Sequence, residues 1–163
     1  MGAQKVMVWA AISSTRKIGP IFFDQSVTGT SYLRMLSEDV LPVISQWEEF
    51  ERLTFQQDGA PHYARAVRSF LDEIFPEWIG RRGTIEWPAR SPDMTPPDFF
   101  LWGYLKDRVF VRSPRDIPQL KEIIKEEFDI IPQDMVQKAC RSVVNRCQIC
   151  IEIDGKQIKL HRG

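Results

Sequence analysis

Two aspartates, Asp58 and Asp98, stand where a carboxylate can take part in chemistry. Asp58 follows a predicted strand at 52–57 and precedes a predicted helix, a place where open α/β sheets commonly carry site residues. Asp98 falls in the first turn of another predicted helix. Each also has an ordinary structural explanation, because Asp-Gly is a common turn pair and a first-turn acid is stabilised by roughly 0.3–1 kcal/mol. Carboxylate oxygens are the ligands that Mg²⁺ prefers, so divalent-metal chemistry is the functional alternative.

The elements that must position these aspartates begin with a predicted hairpin. Residues 5–13 and 19–23 are β-branched and aromatic and flank a polar turn, which favours two antiparallel strands. Apolar residues recur every three or four positions between 28 and 44, which predicts an amphipathic helix that Pro42 bends or breaks. The short strand at 52–57 then leads to Asp58.

Helical periodicity dominates the rest of the chain. We predict a helix after Pro61 that ends at Pro76, a short strand at 84–87, and a helix that begins in the proline-rich segment 90–97. Two more helices are predicted at 116–130 and 132–149, before a polar tail. The order of hairpin, helix, strand, helix, strand and helices is typical of the α/β fold class, with a mixed sheet flanked by helices.

Composition indicates a single domain. The 163 residues are 43% hydrophobic and carry 22 basic and 22 acidic side chains, so the overall charge gives no sign of a polyanionic partner. No apolar run reaches the length of a membrane span, and residues 1–5 lack a signal-peptide pattern. We therefore expect a soluble intracellular protein without membrane contact. Its three cysteines suit reduced thiols better than a disulfide framework.

Two long blocks carry a family resemblance. The segments QQDGAPH at 56–62 and SPDMTPPDFFLWGYLK at 91–106 resemble the blocks around the second and third catalytic aspartates of mariner-type DDE transposases. Weaker matches are VMVWAAI at 6–12, EWPAR at 86–90 and CQICI at 147–151. The resemblance assigns residues 1–150 to a catalytic core and leaves 151–163 as a C-terminal tail.

The resemblance implies a function as well as a fold. The fold would be ribonuclease-H-like, and the activity would be the metal-dependent DNA cleavage and strand transfer by which a transposable element integrates. Asp58 and Asp98 would be catalytic metal ligands for Mg²⁺ or Mn²⁺, while Asp93, a rival from the residues alone, would be a turn residue. The implied partner is DNA, with a homodimer as a further expectation, and the implied location is the nucleus. Two metal ions about 3.5–4 Å apart would activate the attacking oxygen and stabilise the leaving one.

The chain departs from the family pattern at its start. Family members carry an opening strand with a first catalytic aspartate before the segment that matches 6–12, and residues 1–5 contain no acid. Asp24 and Glu86 are weak substitutes, since each belongs to a block that matches another part of the pattern. We therefore expect a truncated core that binds metal weakly and cleaves little DNA. The alternative is a non-enzymatic, nucleic-acid-binding remnant of a transposable element.

Several other residues have two interpretations each. His62 and Gln57, with its neighbour Gln56, either assist the site or serve local structure. Arg81, Arg82 and Arg90 either contact DNA, with Trp78 and Trp87 stacking nearby, or form a solvated loop beside core tryptophans. A zinc site is suggested by Cys147 and Cys150, with Cys140 and His161 as further ligands. The spacing of these residues fits no regular zinc finger, and packing of the cysteines in the core is the simpler interpretation. The aromatic residues after Asp98 are expected in the core; these are Phe99, Phe100, Trp102 and Tyr104.

Overall fold

A computed structural model describes residues 5–57, 64–86 and 95–153. The chain divides into two compact units, and each is described by itself. The first comprises residues 1–25 and 91–163, and the second comprises residues 26–90. Within the described residues, no helix is long and apolar enough to cross a membrane.

The first unit starts with the predicted hairpin, which is confirmed. Strands β1 (Met7–Ile12) and β2 (Lys17–Phe23) pair antiparallel, with Met7 opposite Phe23 and Ile12 opposite Lys17. The turn is closed by the Ser13 amide, which donates to the Arg16 carbonyl at 2.8 Å, and by the Arg16 amide, which donates to Ser13 Oγ at 3.0 Å. The serine hydroxyl thus stabilises the turn that the polar segment between the two strands predicted.

Three helices complete the first unit. A π-helical turn at Pro97–Leu101 leads directly into α4 (Trp102–Val111), and α5 (Ile117–Asp129) and α6 (Gln133–Glu152) follow. Asp116 caps α5, since its Oδ1 accepts from the Gln119 amide at 2.8 Å. All three helices were predicted. Helix α6 continues three residues past the predicted end at 149 and so crosses the boundary at 150, which stays a prediction.

Apolar faces of these helices pack on the hairpin. One buried cluster contains Ala10 of β1 with residues of α4, α5 and α6; its other members are Leu101, Leu105, Phe128, Ile131 and Val136. A second cluster joins α4 and α5 and covers Phe22 of β2; it contains Val109, Leu120, Ile123 and Ile124. The burial pattern follows the three-and-four spacing from which the helices were predicted.

Lys17 connects β2 to the end of α5 through hydrogen bonds from its ammonium group. Its Nζ donates to the carbonyls of Phe128 at 2.8 Å, Asp129 at 3.1 Å and Ile131 at 3.0 Å. The last carbonyls of a helix have no partner within the helix, so a lysine ammonium at this end satisfies them and interacts favourably with the helix dipole. Burial lowers the pKa of Lys17, and the charge of Asp129 partly offsets that effect.

The second unit begins with a helix in three segments. Helix α1 (Gly29–Met35) starts at a reciprocal cap, in which the Ser31 amide donates to Thr28 Oγ1 at 3.1 Å. A π-helical turn at Leu36–Val40 then leads into α2 (Leu41–Ile44). Proline has no amide hydrogen, and its ring clashes with the carbonyl four residues earlier. The widened turn, in which the Leu41 amide donates to the Leu36 carbonyl, lets the helical path continue through Pro42.

A small parallel sheet follows. Its strands are β3 (Phe55–Gln56), β4 (Trp78–Gly80) and β5 (Ile85–Glu86), in the order β3-β4-β5. The strand predicted at 52–57 is shorter than expected, because Phe50–Arg52 form a 3₁₀ turn. The strand predicted at 84–87 corresponds to β5. Strand β4 was not predicted, since three residues between Pro76 and Arg81 are too few to show a periodicity.

Helix α3 (Arg65–Ile74) precedes β4 and packs against α1 of the same unit. It buries Val67 and Leu71 completely, and the predicted start of the helix at Pro61 lies outside the described residues. Trp78 is fully buried as well, and its indole lies so close to Gly80 that a Cβ there would meet Cζ3 at 2.7 Å. The two units together contain antiparallel and parallel strands with helices, which confirms the predicted α/β class.

Candidate metal and nucleic-acid site

Asp98 is the second residue of the π-helical turn that precedes α4. The amides of Asp98 and Phe99 donate to the Thr95 carbonyl at 2.9 and 3.0 Å, and the Trp102 amide donates to the Pro97 carbonyl. The turn fixes the Asp98 backbone, and its side chain is exposed. An exposed carboxylate on a rigid helical start can reach a metal ion or a polar partner without first being uncovered.

Asp58 itself lies outside the described residues, but the structure describes the residue before it. The Gln57 amide donates to the Ile79 carbonyl at 2.9 Å, which extends the pairing of β3 with β4 by one residue. Gln57 is 6% exposed, and its Oε1 accepts from the Tyr32 hydroxyl at 2.8 Å. The chain therefore enters Asp58 from a backbone that is held by the sheet and by a buried side-chain hydrogen bond.

Several predicted site residues cannot be placed. His62, Arg90, Asp93, Trp87 and His161 lie outside the described residues, as does Asp58. Across 5–57, 64–86 and 95–153, no group of three or more His, Cys, Asp or Glu side chains is arranged to hold a metal ion. The pairing of Asp58 with Asp98 therefore stays a prediction. The described member of that pair, Asp98, fits a hard divalent cation by the chemistry of its oxygens and by its exposure.

The two weak substitutes for a third acid have local partners. Asp24 lies 3.6 Å from Lys121 Nζ, with a side chain that is almost fully exposed. Glu86 Oε2 accepts from the Arg82 amide at 2.9 Å. Both contacts account for the carboxylates as surface groups, and neither side chain belongs to a metal-holding group among the described residues.

Arg81 and Arg82 form the turn between β4 and β5. Both are exposed, and Arg82 adopts a left-handed backbone conformation with φ of 58°. Guanidinium groups at such a turn can reach phosphate oxygens. Trp78 differs from these exposed arginines, because it is fully buried and its Nε1 donates to Asp72 Oδ1 at 2.8 Å. The core alternative therefore holds for Trp78, which cannot stack on a base.

The three cysteines all lie on α6 as half-buried thiols that form no disulfide. Burial raises the pKa of Cys140 to about 11, which disfavours the thiolate that zinc requires. Among the described residues the cysteines belong to no metal-holding group, and His161, the other member of the zinc alternative, lies outside the described residues. Cys140 instead packs against the buried cluster of the first unit.

The aromatic residues after Asp98 differ in role. Phe100, Trp102 and Tyr104 pack against the buried cluster, as predicted. Phe99 instead lies under Arg146 of α6, whose Cζ is 3.7 Å from the centre of the phenyl ring. Sequence reasoning missed this contact because the two residues are far apart along the chain, and no periodicity links them.

Two curated transposases resemble the chain along nearly its whole length, although no family model matches it. The Transposable element Tc1 transposase of Caenorhabditis elegans is 28% identical over 162 residues, which cover 97% of this chain and 55% of that protein. The Transposable element Tcb1 transposase of Caenorhabditis briggsae is 27% identical, with the same shares covered. The chain thus spans about half the length of these relatives.

Solved structures of Mos1 transposase share the fold. The catalytic domain of the Mos1 mariner transposase superposes with a TM-score of 0.79 and 21% identity, covering 93% of this chain and 75% of that one. The same enzyme in a pre-cleavage transpososome gives a TM-score of 0.80, with 93% and 45% covered. A complex of the catalytic domain with Raltegravir and Mg gives 0.76, with 93% and 76% covered. The expected ribonuclease-H-like fold is confirmed by this likeness.

Proposed function

We propose that this chain, which is of the Tc1/mariner transposase type by sequence and fold, is a catalytic core for metal-dependent DNA cleavage and strand transfer. The observation that carries the proposal is Asp98, an exposed carboxylate held on the first turn of a helix within the block that resembles the family. The similar solved structures support the metal and the nucleic acid, since they include Mos1 transposase with Mg, with Mn and in a transpososome.

Asp58 and Asp98 are the proposed ligands for Mg²⁺ or Mn²⁺. When bound, these ions would supply Lewis acidity at the phosphate and a more nucleophilic oxygen at neutral pH. The chain's own contribution is position. The π-helical turn fixes Asp98, and the pairing of Gln57 with Ile79, together with the Tyr32 hydrogen bond, fixes the entry to Asp58.

Two carboxylates carry less negative charge than is needed to neutralise two divalent metal ions. Asp58 and Asp98 offset two of four positive charges, and two divalent ions 4 Å apart repel by about 16 kcal/mol at an effective dielectric of 20, four times the value for unit charges. We therefore propose that these 163 residues bind divalent metal weakly and nick DNA slowly or not at all.

Arg81, Arg82 and Arg90 are the proposed contacts to DNA. The first two are exposed in the described turn between β4 and β5, where a guanidinium can bind a phosphate oxygen with two hydrogen bonds. By the same likeness, we propose transposon ends as the DNA, a dimer as the working assembly and the nucleus as the location. Paired-end complexes are among the similar structures.

A second candidate is a remnant that binds nucleic acid without cutting it. The observation in its favour is the pair of exposed arginines, Arg81 and Arg82, in the turn between β4 and β5, which could bind phosphate without any metal ion. Both candidates predict DNA binding, and they differ only in what happens to the DNA afterwards.

A plasmid assay tests the proposal. The chain is incubated with supercoiled plasmid and Mn²⁺ or Mg²⁺, beside Asp98→Asn and the control Asp107→Asn, an exposed aspartate further along the same helix. Slow nicking that disappears in Asp98→Asn and persists in Asp107→Asn supports the enzyme. Retention of plasmid without any nicking supports the remnant. Nicking that is unaffected by Asp98→Asn would remove Asp98 from the proposed site, and a chain that neither binds nor nicks DNA would contradict both candidates.

A further inference from the structure

The second half of helix α6 contributes no buried residue. The buried residues of α6 are Val136 and Ala139, both in its first two turns, while the helix runs on to Glu152. Two large apolar side chains of the second half are mostly exposed, Val144 at 68% and Ile151 at 77%. Single exposed apolar residues are common on protein surfaces, so the exposure alone does not indicate a partner. The residues that surround these two side chains do.

Val144 and Ile151 belong to one exposed face of α6. Positions 141, 144, 148 and 151 are separated by three, four and three residues, which places their side chains along one side of a helix. The face consists of Arg141, Val144, Gln148 and Ile151, with Glu152 at its C-terminal edge, and all five residues are exposed. These five residues are called the α6 face below.

The two ends of the α6 face carry opposite charges. Arg141 and Glu152 are eleven residues apart, or about 16 Å along a helix, so they cannot form an ion pair with each other within one chain. Neither residue has an ion-pair partner in the part of the chain that the structure describes. A face that begins with a cation and ends with an anion is complementary to an identical face that runs in the opposite direction.

We propose that the α6 face binds the α6 face of a second copy of this chain, with the two helices antiparallel. In this arrangement Arg141 of one copy lies opposite Ile151 of the other, and Val144 lies opposite Gln148. The same contacts recur on the other side of the two-fold axis, because a symmetric pair uses one surface twice. Glu152 follows Ile151 directly, so its carboxylate lies within reach of the opposing Arg141 guanidinium.

Antiparallel pairing gives each side chain of the face a suitable neighbour. The aliphatic stem of Arg141 covers the exposed Ile151 of the other copy, while its guanidinium bonds to the Glu152 carboxylate. Parallel pairing in register would instead set Arg141 against Arg141 and Glu152 against Glu152, and like charges in contact disfavour an interface. The charges of the face therefore specify the direction of the pair.

The inference deepens the proposed function, because it assigns a surface to the dimer proposed above and rests on that part of it. A pair of short helical faces is smaller than the standard interface of about 1,600 Å². We therefore expect a weak dimer, with a Kd on the order of 100 μM. The contact does not involve the predicted metal ligands, so it can be tested without metal or DNA.

Sedimentation velocity of the chain between about 10 μM and 1 mM measures the self-association. Arg141→Glu and Glu152→Arg each place like charges together twice per dimer, so each should weaken the dimer by about tenfold or more. The double variant Arg141→Glu/Glu152→Arg restores the opposite charges and should return the Kd to within about threefold of the unaltered chain. The control is Lys106→Glu, an equal charge reversal at an exposed residue of α4, which should leave the Kd unchanged.

A second pair of variants tests the apolar contacts. Val144→Ser/Ile151→Ser removes the two exposed apolar side chains from each copy and should weaken the dimer by at least about tenfold. The matched control is Val111→Ser at the end of α4, where the valine is 83% exposed, and it should not change the Kd. Thermal melts show whether each variant is folded, and little change is expected because every replaced residue is exposed.

The outcomes separate the inference from the proposed function. If the unaltered chain stays monomeric at every concentration, the inference and the proposed dimer both fall, while the proposed metal and DNA chemistry keeps its own tests. If a dimer forms and none of the face variants weakens it, another surface holds the dimer and the inference alone falls. A charge-swapped double variant as weak as the single reversals would overturn the antiparallel pairing. Species larger than a dimer would overturn it too, since a two-fold contact closes at two copies.

Discussion

Replacing Lys17 by methionine removes an ammonium that serves three carbonyls at once. Nζ donates to the carbonyls of Phe128, Asp129 and Ile131 at distances of 2.8–3.1 Å, across the junction between α5 and the start of α6. Methionine keeps a linear side chain of similar length, so packing against the Phe128 ring, now 5.3 Å from Nζ, is largely preserved. The variant therefore isolates the charged hydrogen bonds.

The expected loss follows from those three bonds. A hydrogen bond to a charged group contributes about 1.5–3 kcal/mol net, so a simple sum would reach roughly 5–9 kcal/mol. Burial opposes the charge, as the lowered pKa of Lys17 indicates, and the three bonds share one donor group. We therefore expect about 3 kcal/mol of lost unfolding free energy, which corresponds to a fall in Tm of roughly 6–12 °C for a chain of this size.

Urea and thermal unfolding measure this loss. The matched control is Lys106→Met, an exposed lysine on α4, which should change the unfolding free energy by less than about 0.5 kcal/mol. A Lys17→Met chain as stable as the Lys106→Met chain would refute the reasoning, because it would mean that the carbonyls are equally well satisfied by water.

Two other substitutions probe the second unit and α6. Tyr32→Phe removes the hydroxyl that donates to the buried Gln57 Oε1 and should lower the unfolding free energy by about 1–3 kcal/mol. The control, Tyr104→Phe at a half-exposed tyrosine, should change the unfolding free energy little. Equal stabilities of the two variants in urea would contradict the buried hydrogen bond. In Cys147→Ser/Cys150→Ser, the remaining thiol, Cys140, should react with a disulfide reagent at pH 8 about tenfold more slowly than a thiol of pKa 9.0. Burial raises its pKa to about 11, which lowers the thiolate fraction about a hundredfold, while the greater nucleophilicity of the more basic thiolate offsets part of that loss. Its rate should climb with pH up to that value, and a fast reaction at pH 8 would contradict the burial.

Much of the fold was readable from the sequence because its signals are local. The hairpin showed as two β-branched runs around a polar turn, and α3 to α6 showed as apolar residues at three-and-four spacing, which the buried residues reproduce. Strand β4 was missed because three residues carry no period, and the parallel order β3-β4-β5 depends on pairings that no local pattern encodes. The helix is divided near Pro42, but the sequence does not reveal that a π-helical turn at Leu36–Val40 precedes the proline.

Less of the candidate site than of the fold could be predicted from the sequence. Asp58 and Asp98 were predicted as site residues from the blocks around them, because each alone is explained equally well by a turn or a helix start. Trp78 shows the limit of composition: an aromatic residue close to arginines suggests stacking on a base, and only its burial assigns it to the core. The contact of Arg146 with Phe99 joins residues distant in sequence, so it required coordinates.

The central claim is that Asp58 and Asp98 together hold a divalent cation. Titration with Mn²⁺, followed by calorimetry and by water proton relaxation, tests it most directly in the unaltered chain, Asp58→Asn, Asp98→Asn and the control Asp107→Asn. We predict weak binding in the unaltered chain and in Asp107→Asn, and its loss in each of the other two variants. Binding that survives both Asp58→Asn and Asp98→Asn would contradict the claim, and tight binding of two ions by the unaltered chain would contradict the proposal that it is a weak site.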